Sequence, residues 1–272
     1  MTTILDSILY SKQNKRYHEI EDIVRKFTAV YSGNSIIRDN IFSVTANYAR
    51  KNDLPIELLR YPFHDNELWA FTFLKSGTVF VCINSGLAVC RQIFALAHEL
   101  YHIYCFEEDV DQNIIRNGSL LNSDIANEVS NEPEDLEANA FAGLLLMPEG
   151  CVHEQMALYG IQKQNVELDD ILTLMDIFAI PYKAVILRMY ECGCLSMEKA
   201  KKLLVISSDE IEERVILTGK AKRWQLDGAG TEIFGSLLDN FNYNEQNEYL
   251  NETREKSDKA YIANLKKSYK LD

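Results

Sequence analysis

The sequence predicts an α+β fold: a small antiparallel sheet and one long buried helix, followed by a purely helical region. Three observations carry this expectation. Apolar residues recur at helical spacing in Tyr17 to Tyr31 and again from Ser85 to Phe106. Three short runs rich in β-branched and aromatic residues lie between these stretches, separated by turn-forming clusters. From Pro133 onward the pattern returns to helical periodicity, broken by prolines at 148 and 181.

In chain order, Tyr17 to Tyr31 and Ser35 to Lys51 read as amphipathic helices, the first with Ile20, Ile23, Val24 and Phe27 on one face, and Gly33 and Asn34 punctuate them. Ile56 to Phe63, Leu68 to Leu74 and Thr78 to Ile83 read as strands. Turns fall at His64, Asp65, Asn66 and at Lys75, Ser76, Gly77. Ser85 is a suitable cap for the next helix, which buries Val89, Ile93, Leu96, Leu100 and Ile103. Glu107 to Asn131 lose periodicity and gather acidic residues, the pattern of a long loop, either solvated or guiding a substrate. Pro133 suits the first turn of a helix that stops at Pro148. Helices follow at Leu168 to Phe178, Tyr182 to Glu191 and Ser196 to Leu203, the first two joined tightly enough for a helix-turn-helix-like pair. Arg214 to Leu217 and Arg223 to Leu226 read as short strands, and the polar end beyond Asn244 as a surface helix or tail.

Composition narrows the function classes. With 272 residues, 47% of them hydrophobic, the chain can bury a sizeable core. The longest apolar stretches, such as Phe141 to Met147, fall far short of the roughly 20 residues of a membrane span, and no basic-then-apolar leader opens the sequence. A cytoplasmic protein is expected. Six cysteines lack the spacing of a secreted disulfide scaffold and read as small buried hydrophobes, and the Cys192, Gly193, Cys194 pair alone is weak evidence for zinc. A net charge of −13 disfavours direct binding to nucleic acid and favours a basic protein partner.

The chemistry concentrates in His98, Glu99, Leu100, Tyr101 and His102, an H-E-x-x-H pentapeptide on the long helix. Residues four apart on a helix lie about 6 Å apart along the axis and about 40° apart around it, so both imidazoles can reach one metal ion. Glu99 is rotated about 100° from His98, poorly placed as a ligand but suited to take a proton from a water at an open metal position. A third ligand is required, and Glu134, Asp135 and Glu137 cluster at the start of the following helix. Asp135 shares a face with Ala138, Asn139 and Ala142. The alanines permit close packing, and Asn139 can orient a ligand from one turn away. His18, His64 and His153 stand apart from these motifs, and Tyr101 reads as a wall of the cleft.

HELYH followed by EDLEANAFAGLLLMPE resembles the ImmA/IrrE family of zinc metallopeptidases, over about Ile41 to Leu204. That family usually carries H-E-L-G-H and then E-x-x-A-N-x-F-A, the first Glu being the third ligand. Matching Ala138, Asn139, Phe141 and Ala142 places Asp135 at that Glu and Tyr101 at the usual Gly. A change of helix phase would bring Glu134 or Glu137 to the metal instead. The resemblance implies a zincin-like, gluzincin-type domain holding Zn2+ on His98, His102 and Asp135, with Glu99 catalytic. It also implies an endopeptidase that cleaves one cytosolic protein, a cognate helix-turn-helix repressor of a mobile element, prophage or stress response. The rival reading is a non-catalytic, metal-stabilised regulatory module that holds a repressor or a toxin–antitoxin partner. The expected organisation is an N-terminal helical segment (1–40), the metallopeptidase domain (41–165), a helix-turn-helix-like region (166–204) and a C-terminal extension (205–272).

Overall fold

Helix α1 (Lys15–Tyr31) turns Tyr17, Ile20, Val24 and Phe27 inward at steps of three and four, the spacing that lines one face of a helix. The computed structural model describes residues 15–65, 67–108, 119–122, 133–219 and 233–268. Helix α2 (Ile41–Lys51) begins later than its sequence periodicity predicts. Arg38 adopts a left-handed backbone (φ 55°) and opens a short 3-10 turn, Arg38–Asn40, so the α-helical path cannot extend back to Ser35.

Strands β1 (Ile56–Tyr61), β2 (Leu68–Lys75) and β3 (Thr78–Asn84) lie where the sequence places them. β1 stops before Pro62, which has no N–H to offer a ladder. β2 and β3 form a hairpin closed by Ser76 and Gly77, both at positive φ, a two-residue turn whose twist suits antiparallel strands. β4 (Ser119–Asn122) pairs antiparallel with β2, and β5 (Ile233–Phe234) antiparallel with β1. The five-stranded order is β4-β2-β3-β1-β5. One pairing departs from the antiparallel expectation: β1 runs parallel to β3, because the chain passes from β1 to the far side of β3 before the hairpin returns. The Glu57 carboxylate accepts from the Ser236 N–H and hydroxyl, both at 2.7 Å, and fastens β5 to the sheet.

Helix α3 (Val89–Glu108) lies against β2 and β3 and packs along α4 (Pro133–Leu146). Ser85 does not cap it. The helix starts four residues later, and Gln92 in its first turn ties the entry instead, donating to the Leu87 and Ser85 carbonyls and accepting from Arg60 at 2.6 Å. Phe27, Tyr48, Tyr104 and Phe141 meet at centroid separations of 5.3 to 6.0 Å and join α1, α2, α3 and α4 in one core.

Helices α5 (Glu149–Leu158), α6 (Leu168–Phe178), α7 (Tyr182–Glu191), α8 (Met197–Leu204) and α9 (Ser208–Leu217) follow. Pro148, expected only as a stop, also begins α5. Arg214 to Leu217 are not a strand: they end α9, whose start is fixed by the Ser207 hydroxyl accepting from the Glu210 N–H at 3.2 Å. α10 (Leu237–Gln246) and α11 (Glu252–Ser268) are the last helices among the described residues, the latter meeting the expectation of a surface helix. The strand expected at 223–226 and most of the acidic loop lie outside the described residues, but β4 shows that 119–122 form a strand. Among the described residues, no helix is long and apolar enough to cross a membrane.

The helical half is anchored through Arg188, only 2% exposed. Its guanidinium donates to the Met147 carbonyl at 3.0 Å, the Tyr17 hydroxyl at 2.8 Å and Glu191 at 2.7 Å, tying α7 to α1 and to the end of α4. Removing one partner of a buried pair strands the other charge. Arg188→Met is therefore expected to cost roughly 3–5 kcal/mol, read from the urea midpoint, and adding Glu191→Gln should recover part of the loss.

Candidate metal centre

Two helices supply the centre. The four-residue step on α3 brings His98 Nε2 and His102 Nε2 to 3.2 Å from each other. Asp135, in the first turn of α4, places Oδ1 3.7 Å from each of them. Among the described residues these three form the group of side chains whose atoms could hold a metal ion, all within 4.8 Å of one another. A tetrahedral ion with bonds of about 2.0–2.1 Å needs ligand atoms about 3.3 Å apart. The two imidazoles meet that spacing, and Asp135 falls within a small side-chain adjustment of it. The donor set fits a metal.

Burial shapes the chemistry. His98 and Glu99 are fully buried and His102 nearly so. Burial, and then the neighbouring His98, hold the His102 imidazolium far below the usual histidine range, against the opposing pull of Asp135. The ring is accordingly neutral at pH 7 and keeps a lone pair for a metal. His98 Nδ1 lies 2.9 Å from Asn139 Oδ1. A carbonyl oxygen there accepts the Nδ1 proton, which leaves the Nε2 lone pair facing the centre. Glu99 is outside the ligand group. Its charge reaches Cys82 on β3, whose thiol is pushed up to about 12, first by burial and then with a contribution from Glu99.

The neighbouring acids have other places. Glu137 accepts from Arg16 Nε at 2.8 Å and Nη2 at 2.6 Å, and from the Tyr101 hydroxyl, while Arg16 Nη2 lies 3.1 Å from the same hydroxyl. This triangle fastens α1 to both metal helices. Hydrogen bonding to Glu137 raises the Arg16 pKa, and burial, ahead of its neighbours, raises that of Tyr101. Glu134 is exposed. Of the three acids considered from sequence, the structure brings Asp135 to the imidazoles. Arg16 carries no sequence signal for this role, because its partner is 121 residues away. Tyr101 is a wall, as expected, with its ring against His102 and Phe141.

The remaining histidines stay apart. His18 is exposed beside Glu21, and His153 lies 3.6 Å from both Cys194 Sγ and Glu149 Oε1. None of the six cysteines forms a disulfide.

Asn139 provides a direct test of this geometry. Asn139→Leu removes the acceptor that orients His98 and should weaken metal binding by about 10–100-fold, measured by competition with a chromophoric chelator. Asp135→Ala should weaken it further, whereas Asp135→Glu should retain binding.

No curated protein matches the chain. The family model described as the IrrE N-terminal-like domain, a peptidase family, matches residues 51–190. That span takes in β1 to α7 and with them both histidines, Glu99, Asp135 and Asn139. By that match the chain belongs to the IrrE N-terminal-like peptidase family.

Proposed function

We propose that this chain is a zinc-dependent endopeptidase acting on one cytosolic protein, a helix-turn-helix repressor of a mobile element, prophage or stress response being the substrate class that its family suggests. The observation that carries the reading is the convergence of His98 Nε2, His102 Nε2 and Asp135 Oδ1 on one point, with Asn139 fixing the tautomer of His98. Two imidazoles and a carboxylate form the ligand set of a hydrolytic zinc site with one position left for water. When bound there, zinc lowers the pKa of water towards neutrality and polarises a carbonyl.

The other roles belong to the chain. Glu99 accepts the proton of the attacking water on its carboxylate and returns it to the leaving amine nitrogen. Its full burial keeps bulk water from competing for that proton. His102 stays neutral, and Asn139 holds His98 in register. The outer edge of β2 is already paired with β4, so a substrate strand adding to this end of the sheet would dock on β4.

The chain's charge of −13 suits a basic substrate protein better than DNA. The helix-turn-helix-like pair gives the same indication. Val185, Ile186, Arg188 and Met189 of α7 are buried, which leaves little of that helix for a DNA groove.

Co-expression with a candidate helix-turn-helix repressor tests the reading. Wild type should deplete the repressor, a chelator should protect it, and Glu99→Gln should lower the cleavage rate by about 10²–10⁴-fold while retaining its metal. Equal repressor levels with wild type and Glu99→Gln, both loaded with metal, would instead identify a module that holds its partner without cutting it.

A further inference from the structure

A cavity of about 620 Å³ lies between the start of α3, the middle of α4 and the helices α7 and α9. Its volume is in the range of small-molecule sites. Leu87, Phe94, Leu187, Ile211 and Val215 supply an apolar wall, and Trp69 and Arg91 line it as well, the guanidinium lying 5.3 Å from the indole centroid. Two features of the lining favour negative charge. Arg91 and Lys183 both face the cavity, and burial together with the nearby Arg91 holds the Lys183 ammonium below its usual range. Three helices begin at its wall, α3 at Leu87 and Ala88, α7 at Pro181 to Ala184, and α9 at Ser207 and Ser208, so their positive ends converge there. Trp69, 6% exposed, lies in the wall beside Arg91 and can report on what binds there. Of the acids on the wall, Glu191 is paired with Arg188 at 2.7 Å, and Glu212 is exposed.

We infer that this cavity binds a small amphipathic anion, with its apolar body against Leu87, Phe94 and Ile211 and its anionic head between Arg91 and Lys183. The site is separate from the ligand atoms of the metal centre and shares one wall residue, Asn139, with the residues that support it. It does not depend on the chain being a peptidase.

Anilinonaphthalene sulfonate tests the inference, with the uncharged phenylnaphthylamine as its counterpart of similar shape. In a Trp224→Phe background, Trp69 is the sole indole, and its emission should fall as one sulfonate per chain binds saturably. Raising the salt concentration should weaken the sulfonate and leave the amine nearly unchanged. Arg91→Gln with Lys183→Gln should lower sulfonate affinity at least about tenfold and amine affinity less than about twofold. Absence of saturable binding at millimolar probe, a salt-independent sulfonate affinity, or equal losses for both probes would each overturn the assignment. Because the salt comparison uses the unmodified cavity, a double variant that fails to fold leaves the test intact.

Discussion

The close packing of α3 against α4 is the constraint on which the rest of the molecule depends. Every group in the metal centre comes from one of these two helices, and their separation decides whether the centre exists. Ala138 and Ala142 are fully buried on the same face of α4 as Asp135 and Asn139, so small side chains set the spacing between the helices. An aspartate reaches about 1.5 Å less far than a glutamate. A shorter acid can serve only where its backbone approaches closely, and the 3.7 Å separations from Asp135 Oδ1 to both imidazoles show that this approach is achieved.

The phase of α4 about its own axis matters as much as its distance. Turning the helix by two residues would present Glu137 in place of Asp135. The fork of Arg16 holds Glu137 through two nitrogens, and the Tyr101 hydroxyl adds a third donor. A bidentate guanidinium–carboxylate pair fixes direction as well as distance. Beside the second histidine this chain has a tyrosine that reaches across to the other metal helix. Tyr101 and Asp135 thus belong to one local solution: the acid that could compete is engaged on the α1 side, and the shorter acid faces the imidazoles.

Much of this could be read from sequence because it rests on local periodicity. The four-residue step of the histidines, the shared face of Asp135 and Asn139, and the bounds of α6 and α7 all follow from helix geometry. The features that escaped depend on contacts distant in sequence or on competing local signals. Nothing near Glu137 announces Arg16, and nothing near Tyr17 announces Arg188. The parallel pairing of β1 with β3 is a matter of topology, which alternation alone does not encode. At α9 the β-branched pair Val215 and Ile216 favoured a strand, although Ser207 and Glu210 carried the spacing of a helix start. Ser85 shows the converse: a good capping residue whose hydroxyl is buried without a partner among the described residues while the helix starts elsewhere.

The helical half and the metal half form one packed body, and this bears on how the centre stays assembled. Arg188 meets the Met147 carbonyl at the end of α4 and the Tyr17 hydroxyl near the start of α1, one residue beyond Arg16. The same two helices are therefore held twice, by Arg16 at one end of α4 and by Arg188 at the other. A helix held at a single end can still tilt or rotate, and a shift of about 1 Å is enough to disturb a catalytic geometry. Held at both ends, α4 keeps Asp135 and Asn139 in place whether or not an ion is bound, so ordering of this helix need not be drawn from the free energy of metal binding.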